Sequence, residues 1–454
     1  MMARTLASVA EHVHGRLRGP DCRFNDVSTD TRQNVRGSLF VALRGENFDG
    51  NDYIAAAASG GAAGALVSRP ADVALSQVEV EDTRLAFGDM ARAWRENFAV
   101  PVVAVTGSAG KTTVRALIAS ILSVDRQICT TEGNLNNDIG VPLTLMRMRR
   151  GDAAAVIELG ANHAGEIDYL ARIARPDVGL ITNAGRAHLE GFGSLDGVAA
   201  AKGELLDHIS DNGTAVLNAD DEYFQQWCER ASPARVMSFG FVFSSDCHTV
   251  NEIETYAGGS RFTIHLPDGS HVPVSLALPG RHNVRNALAA ATCAFVLGVS
   301  SEQIAYGLGA ARTVRGRLRE RMGIAGARII DDSYNANPAS ARAALDYLAE
   351  FDGQRVFVLG DMGELGTEAV SLHREVGEYA RPRCDRFIAI GGLAAEAASA
   401  FGEGAEIFAD VAAVERGLSG DLDAHTTVLI KASRAMRLER LAAALTAQQE
   451  GPSC

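Results

Sequence analysis

A chain of 454 residues is long enough for about three domains of ordinary size. Its 43 basic and 56 acidic residues leave a formal charge of −13, which argues against a nucleic-acid or membrane surface working by bulk electrostatics. With 47% hydrophobic and 22% charged residues it reads as globular, so an anionic ligand must be held by backbone N–H groups, a few cations or a metal.

The opening MMARTLASVAEHVHGRLRG carries charges and histidines where a signal peptide needs an apolar core. No apolar run is long enough to cross a bilayer, so a soluble, cytoplasmic protein without membrane insertion is expected. Seven dispersed cysteines (Cys22, Cys129, Cys228, Cys247, Cys293, Cys384, Cys454), with no CxxC pair, suit reduced thiols better than disulfides or zinc.

GSLFVAL predicts a strand, DGNDYIAAAASGGA a helix and AGALVS the next strand. DTRLAFGDMARAWRENF then predicts an amphipathic helix leading to Pro101, a join between domains. From Val102 the pattern is strand VVAVTG, a helix after Lys111, then strands AAAVIELG and VGLITNAG with helices between, which implies a mainly parallel sheet. Residues from about Val236 to Leu278 alternate around YAGGS and LPDGS and predict an antiparallel excursion. GRHNVRNALAAATCAFVLG restores a long helix. Beyond Arg317, strands ARIIDDS, RVFVLGDM, RFIAIGG and TVLIKAS alternate with helices, a Rossmann-like shape without the glycine fingerprint of dinucleotide binding.

The chemistry begins in VVAVTGSAGKTT. Gly107, Ser108, Ala109 and Gly110 let backbone N–H groups approach phosphate oxygens at a helix N-terminus. Lys111 can reach terminal phosphates and Thr112 can offer its hydroxyl to Mg²⁺, with Thr113 following. Yet Val105 stands where the usual loop has its first glycine. The competing reading is a glycine turn with a helix-capping threonine.

Glu158 lies inside an apolar strand, where an unpaired carboxylate is costly. Thr182, Asn183 and His188 follow another strand's C-terminal end, the edge at which open parallel sheets collect ligands. Glu158 and His188 could therefore join the loop around Mg²⁺, and a histidine also suits Mn²⁺. Alternatively Glu158 is a buried acid paired with an arginine and His188 a loop histidine. Spacing alone leaves Lys202 as a solvated helix lysine.

In this order, TGSAGKTT, TEGNLNND, IELG, TNAGRAH, AKGEL, GRHNVRNALAA, GRLRE and DDSYNANP resemble the Mur ligase family, the ATP-dependent amide-forming enzymes of peptidoglycan synthesis, over essentially the whole chain. STDTRQNVRGSLFVALRGENFDGNDY, GNLNNDIGVPLTL, DDSYNANPAS and VLGDMGELG with the following HREVG are similar to the member that adds D-alanyl-D-alanine to a UDP-N-acetylmuramoyl tripeptide. The DNPR-like motif expected of the ligase adding the third residue does not occur. Folylpolyglutamate synthetases share the loop but not this type of N-terminal domain.

The resemblance implies an α/β protein of three domains: a UDP-sugar-binding domain over residues 1–82, a linker helix over 83–100, a central P-loop-like ATP-binding domain over 101–312 and a Rossmann-like ligase domain over 313–454. It implies ATP, Mg²⁺ held by Thr112, Glu158, His188 and a carbamylated Lys202, and a monomer that takes UDP-N-acetylmuramoyl-tripeptide and D-alanyl-D-alanine. Lys111 matches the ATP phosphate contact, Asn283 and Asn286 match positions near ATP, and Arg317 and Asp332 match third-domain groups closing over phosphates and ribose. Ser28, Thr29, Arg32, Gly45 and Asp49 match the nucleotide-sugar side. Asn134, Asn136 and Asn137 fall beside sugar or peptide, with Asn335 and Asn337 shaping the cleft. The same Ser, Asp and Asn residues could instead cap helices and shape turns.

One departure is Ala432 in LIKASRAMRLE, where family members usually carry glycine after the lysine; alanine fits unless φ must be positive. Besides another ligase of the family, an ATPase or GTPase switch and a non-catalytic nucleotide-sugar-binding regulator remain alternatives. Whether the tripeptide ends in meso-diaminopimelate or lysine stays open.

Overall fold

The computed structural model describes residues 2–446 apart from Ala257 and Arg315, so Cys454 lies outside the described residues. Four sheets are formed in chain order. The first has five strands, with Ser38–Val41 and Gly64–Val67 buried in its middle. Its neighbours pair in parallel except at the edge, where Arg16–Arg18 runs antiparallel to Gln77–Glu79. The linking helix Thr83–Arg95 is capped by Asp82, whose side chain accepts from Arg84 and Leu85 N–H. It buries Phe87, Met90 and Ala91 in a cluster that runs from the first sheet into the second.

The second sheet carries the phosphate loop. All six of its strands pair in parallel, with Val102–Thr106 between Ala155–Glu158 and Val178–Ile181. These three strands are fully buried, as near-continuous apolar runs in a parallel sheet require. The chain leaves Val102–Thr106 towards one side of the sheet and returns to the other. Its C-terminal end is thus a topological switch point, the place where such sheets bind ligands.

The antiparallel excursion begins later than the sequence suggested. Arg235–Phe239 is the sixth strand of the central sheet, parallel to Thr214–Asn218. Alternation alone cannot tell an edge strand of a parallel sheet from a hairpin strand. Only from His248 do four strands, among them Gly259–His265 and Gly-turned His271–Leu276, pair antiparallel.

In the last sheet, Arg328–Asp332, Thr426–Lys431, Gln354–Gly360 and Arg386–Ile390 form the four expected strands, paired in parallel. Arg319–Met322 and Ala405–Phe408 extend the two edges; their burial is partial, which explains the weak apolar signal. Leu189 and Val198 of the central unit are buried in the same cluster as Leu318, Met362 and Leu365 of the last one, so the two units share apolar core. Among the described residues no helix is long and apolar enough to cross a membrane.

Candidate active site

Val105 explains the short loop. It is a fully buried strand residue paired with Glu158 and Leu180, so the strand runs on to Thr106 and the turn starts only at Gly107. Gly107 has φ +138, and a Cβ there would lie 2.0 Å from Thr182 Oγ1. Gly110 has φ +83 and faces Asn286 Oδ1, which a Cβ would approach to 2.6 Å. Both glycines are required by left-handed backbone and by a neighbour's proximity.

The next strand's loop holds this turn in place. Asn183 Oδ1 accepts from Ala109 N–H at 3.0 Å, while Thr182 Oγ1 and Asn183 Nδ2 donate to Ala109 C=O at 2.7 and 3.1 Å. Ser108 Oγ accepts from Gly185 N–H and donates to Gly185 C=O. Helix Lys111–Leu122 then starts without a side-chain cap. Its first-turn N–H groups, Thr112 and Thr113 among them, are left to a ligand at the positive end of the helix. Lys111 Nζ donates to Gly107 C=O at 2.5 Å; burial lowers its pKa, with Glu158 opposing. The capping-threonine reading fails, because the cap position is Gly110.

Glu158 is the buried acid beside an arginine that one reading expected, and it also faces the loop. Oε1 accepts from Asn136 Nδ2 at 2.8 Å and from Thr112 Oγ1 at 3.2 Å. Oε2 lies 3.4 Å from Arg115 Nε without a hydrogen bond. His188 has φ +55, and its Nδ1 meets the Glu364 carboxylate from the last domain.

Lys202 is not solvated. Only 1% exposed, it lies on helix Leu195–Gly203, which packs against Leu189–Phe192 and Glu166–Ala174. Its Nζ is 3.4 Å from Ala161 C=O and 4.7 Å from the Phe192 ring centre. Burial first, then the Lys111 charge, push its pKa down to about 7. The run of small residues around it lets neighbouring elements close over the amine, which periodicity does not reveal.

Among the described residues no three His, Cys, Asp or Glu side chains converge as a ready-made metal cluster. The Thr112 hydroxyl and the buried, hydrogen-bond-free Glu158 Oε2 nevertheless fit Mg²⁺, which commonly completes its shell with phosphates and water. Lys202 as an ammonium does not fit; as a carbamate it would.

Two cavities meet at the loop. The larger, about 780 Å³, is lined by Thr113, Asn283, Asn286, Arg317 and Asp332. Asn283 Nδ2 donates to Pro279 C=O at 2.6 Å and Asn286 Nδ2 to Asn283 Oδ1 at 3.1 Å, which fixes both amides on the first two turns of helix Arg281–Val296. Asp332 accepts from Lys431 Nζ at 2.5 Å and from Leu318 N–H at 3.2 Å. The Arg317 guanidinium lies 4.5 Å over the Tyr334 ring.

The second cavity, about 400 Å³, is lined by Lys111, Thr112, Asn134, Asn136, Glu158 and His188. Asn137 also borders it, as do Asn335, Asn337, Glu364 and Arg434 of the last domain. Ala109, Gly110 and Arg317 belong to both cavities. Several asparagines have structural duties too: Asn137 Oδ1 accepts from Gly140 N–H, Asn335 Oδ1 from Ala336 N–H, and Asn337 caps Pro338–Leu348 in a capping box with Ser340.

The N-terminal candidates line neither cavity. Ser28 Oγ donates to Asp30 C=O, Arg32 forks onto the Asp30 carboxylate, and Gly45 has Phe48 against it. Asp49 caps the turn Gly50–Tyr53 through Asn51 N–H. Asp49 thus makes a capping contact, which leaves its second carboxylate oxygen outside the cap. Ala432 avoids positive φ, so the departure from glycine carries no backbone strain.

Sequence reasoning missed Arg115 and Glu364. Arg115 lies four residues after Lys111, one turn along the loop's helix, where a buried Glu158 required a cation. Glu364 was inside the quoted VLGDMGELG, but nothing local linked it to His188.

The Mur ligase middle domain family matches residues 105–294, the Mur ligase glutamate ligase domain residues 316–434, and the Mur ligase family catalytic domain residues 23–100. The UDP-N-acetylmuramoyl-tripeptide--D-alanyl-D-alanine ligase of Escherichia coli is 43% identical over all of both chains. The Bacillus subtilis protein of the same name is 33% identical over 97% of this chain and 98% of its own. The crystal structure of MurF from Acinetobacter baumannii superposes with a TM-score of 0.91 at 38% identity, covering 96% of this chain and 97% of that one. MurF ligase from Thermotoga maritima, solved in complex with ADP, gives 0.82 at 28% identity over 92% and 96%.

Proposed function

The chain belongs to the Mur ligase family, and from that premise we propose how its residues divide the work. It is an ATP-dependent ligase that adds D-alanyl-D-alanine to UDP-N-acetylmuramoyl-tripeptide in peptidoglycan precursor synthesis. The observation that carries the reading is the seam of two cavities at one phosphate loop, with Arg317 reaching both. One cavity suits the nucleotide, the other the groups to be joined.

In the first step the tripeptide carboxylate attacks the γ-phosphorus of ATP. A carboxyl-oxygen–phosphorus bond forms, the bond to the bridging oxygen breaks, and ADP leaves. The amine of D-alanyl-D-alanine then attacks the acyl phosphate, forming the amide and releasing phosphate and a proton. Both first-step reactants are anionic, so positioning and charge neutralisation dominate.

We assign the N–H groups of Gly107 to Thr113 and Lys111 Nζ to the phosphates, with Arg317 facing them from the last domain. Asn286 is placed at the adenine, Asn283 orients it, and Asp332 is placed at the ribose end. Ser28, Thr29, Arg32, Gly45 and Asp49 are assigned to the nucleotide-sugar. Asn134, Asn136, Asn137, Asn335 and Asn337 are assigned to the cleft around sugar and peptide. When bound, Mg²⁺ neutralises phosphate charge so that a carboxylate can approach; Thr112, Glu158, His188 and carbamylated Lys202 would hold it.

The buried Lys202 amine, with its pKa lowered to about 7, supports carbamylation. The neutral nitrogen attacks CO₂, a C–N bond forms, and one proton leaves to solvent. A cation that repels metal becomes an anion that binds it.

The test is phosphate release with each UDP-tripeptide, ending in meso-diaminopimelate or lysine, combined with D-alanyl-D-alanine, D-alanine or glutamate. Dependence on a tripeptide and D-alanyl-D-alanine together is expected. Release equally fast without either would remove the ligase reading. Lys202→Ala should lose activity and regain part of it with small carboxylates; full activity without them would take Lys202 out of the mechanism.

A further inference from the structure

The contact between Glu364 and His188 joins two backbone outliers across the domain seam. Both have left-handed φ, +62 for Glu364 and +55 for His188. Histidine visits that region more readily than most residues, glutamate does not. A conformation of this kind persists only where its surroundings enforce it. Here Glu190 N–H donates to Glu364 C=O at 3.3 Å, and Gly366 packs against the Glu190 backbone. Leu189 is buried with Met362 and Leu365 of the facing loop. Three contacts therefore bring one carboxylate to one imidazole nitrogen.

His188 Nδ1 is buried and has no partner in hydrogen-bond geometry; the group that meets it is the Glu364 Oε2 carboxylate oxygen, as an ion-pair contact. Histidines that serve a metal or phosphate site generally donate their second ring N–H to a carboxylate, which fixes tautomer and ring orientation. We infer that Glu364 is a positioning residue: it holds the His188 imidazole from the last domain, keeping the proton on Nδ1 and leaving Nε2 for the reaction side. Docking of the last domain then completes the site, because the residue that orients His188 is absent when the domains part. This inference rests on the ligase reading for the role of His188.

The test compares wild type with Glu364→Ala, Glu364→Gly and Glu364→Gln, and with Glu368→Ala as a seam control. Glu368 lies 3.8 Å from Arg186 at the same seam but away from the imidazole. Glu364→Gly removes the carboxylate while relieving the left-handed backbone, so lost folding and lost positioning are separable. Nitrogen-15 histidine spectra with saturating ADP, assigned through His188→Gln, report the tautomer without turnover. We expect the Nδ1–H tautomer in wild type, Glu368→Ala and Glu364→Gln, whose amide oxygen still accepts, and its loss in the alanine and glycine variants. In the last two kcat should fall about tenfold or more, with KM for ATP within about twofold. Wild-type kcat in Glu364→Ala, or a reduced kcat with the tautomer intact, would overturn the assignment. If wild type showed no D-alanyl-D-alanine-dependent turnover, the ligase reading would fail, while the spectra would still decide whether Glu364 holds His188.

Discussion

Asp332 and Lys431 form a buried ion pair, Oδ2 to Nζ at 2.5 Å, on facing positions of two parallel strands. Lys431 Nζ also donates to Asn335 C=O at 3.1 Å, and Asp332 Oδ1 accepts from Leu318 N–H, next to Arg317. The pair thus ties the sheet to the turn that carries Arg317, the residue proposed to face the phosphates. Removing one partner leaves a buried charge without compensation, which costs roughly 3–5 kcal/mol. Lys431→Met should lower stability in urea by about that amount and weaken ATP binding. Adding Asp332→Asn should recover more than half of the stability. Equal midpoints for Lys431→Met and wild type would show that the pair does not hold the turn.

How much of this was legible depends on where the partners lie. The phosphate loop could be read because strand, glycines and helix are contiguous, and Glu158 because a carboxylate in an apolar run is conspicuous. Arg115 was within reach of the same logic. Glu364 was not, since it meets His188 from another domain and no periodicity encodes that approach. Lys202 looked solvated for a related reason: its burial comes with the packing of Leu189–Phe192 and Glu166–Ala174 on its helix, which the helix's own sequence does not show. In the N-terminal domain, local hydrogen bonds satisfy Asp49 and Arg32, so the residues identify turns as readily as a ligand site.

Gly110→Ala tests the loop. The αL conformation costs a Cβ-bearing residue about 1–2 kcal/mol, and the new methyl would also press on Asn286 Oδ1. Because that amide lines the nucleotide cavity, KM for ATP should rise at least about tenfold while urea stability falls modestly. Pairing the change with Asn286→Ala, which clears the contact, should ease the stability defect without restoring affinity. A Gly110→Ala protein with wild-type ATP affinity would mean that the turn does not shape the phosphate site.

His282 sets an acid limit. Its half-buried ring lines the nucleotide cavity, and its pKa is pushed down to about 4, chiefly by burial, with Asp332 opposing and Lys431 and Arg285 reinforcing. The unfolded chain binds this proton near pH 6.5, the native one only near pH 4. Between those values the unfolded state carries more protons, so stability is fully present above about pH 6.5 and declines as pH falls towards 4. Urea midpoints measured from pH 7.5 to 4 should show a shallower decline for His282→Gln than for wild type. Superimposable profiles would assign the acid sensitivity to other groups.

Ala432 stands where the sequence resemblance led to an expectation of glycine, and the strand across from it shows how the alanine fits. A Cβ on Gly360 would come within 2.7 Å of Ala432 Cβ, and Leu438 lies 3.1 Å from the same point. The two positions share room for one methyl group, and here Ala432 supplies it from a wholly buried site. Gly360→Ala alone should overpack the core, at a cost of about 1–3 kcal/mol. In an Ala432→Gly background the methyl only changes sides, so the double variant should lie within about 1 kcal/mol of wild type. A double-mutant cycle in urea measures this directly. Additive costs would show that the two positions do not compete for the same space, and that the alanine owes its fit to Leu438 and Met436 instead.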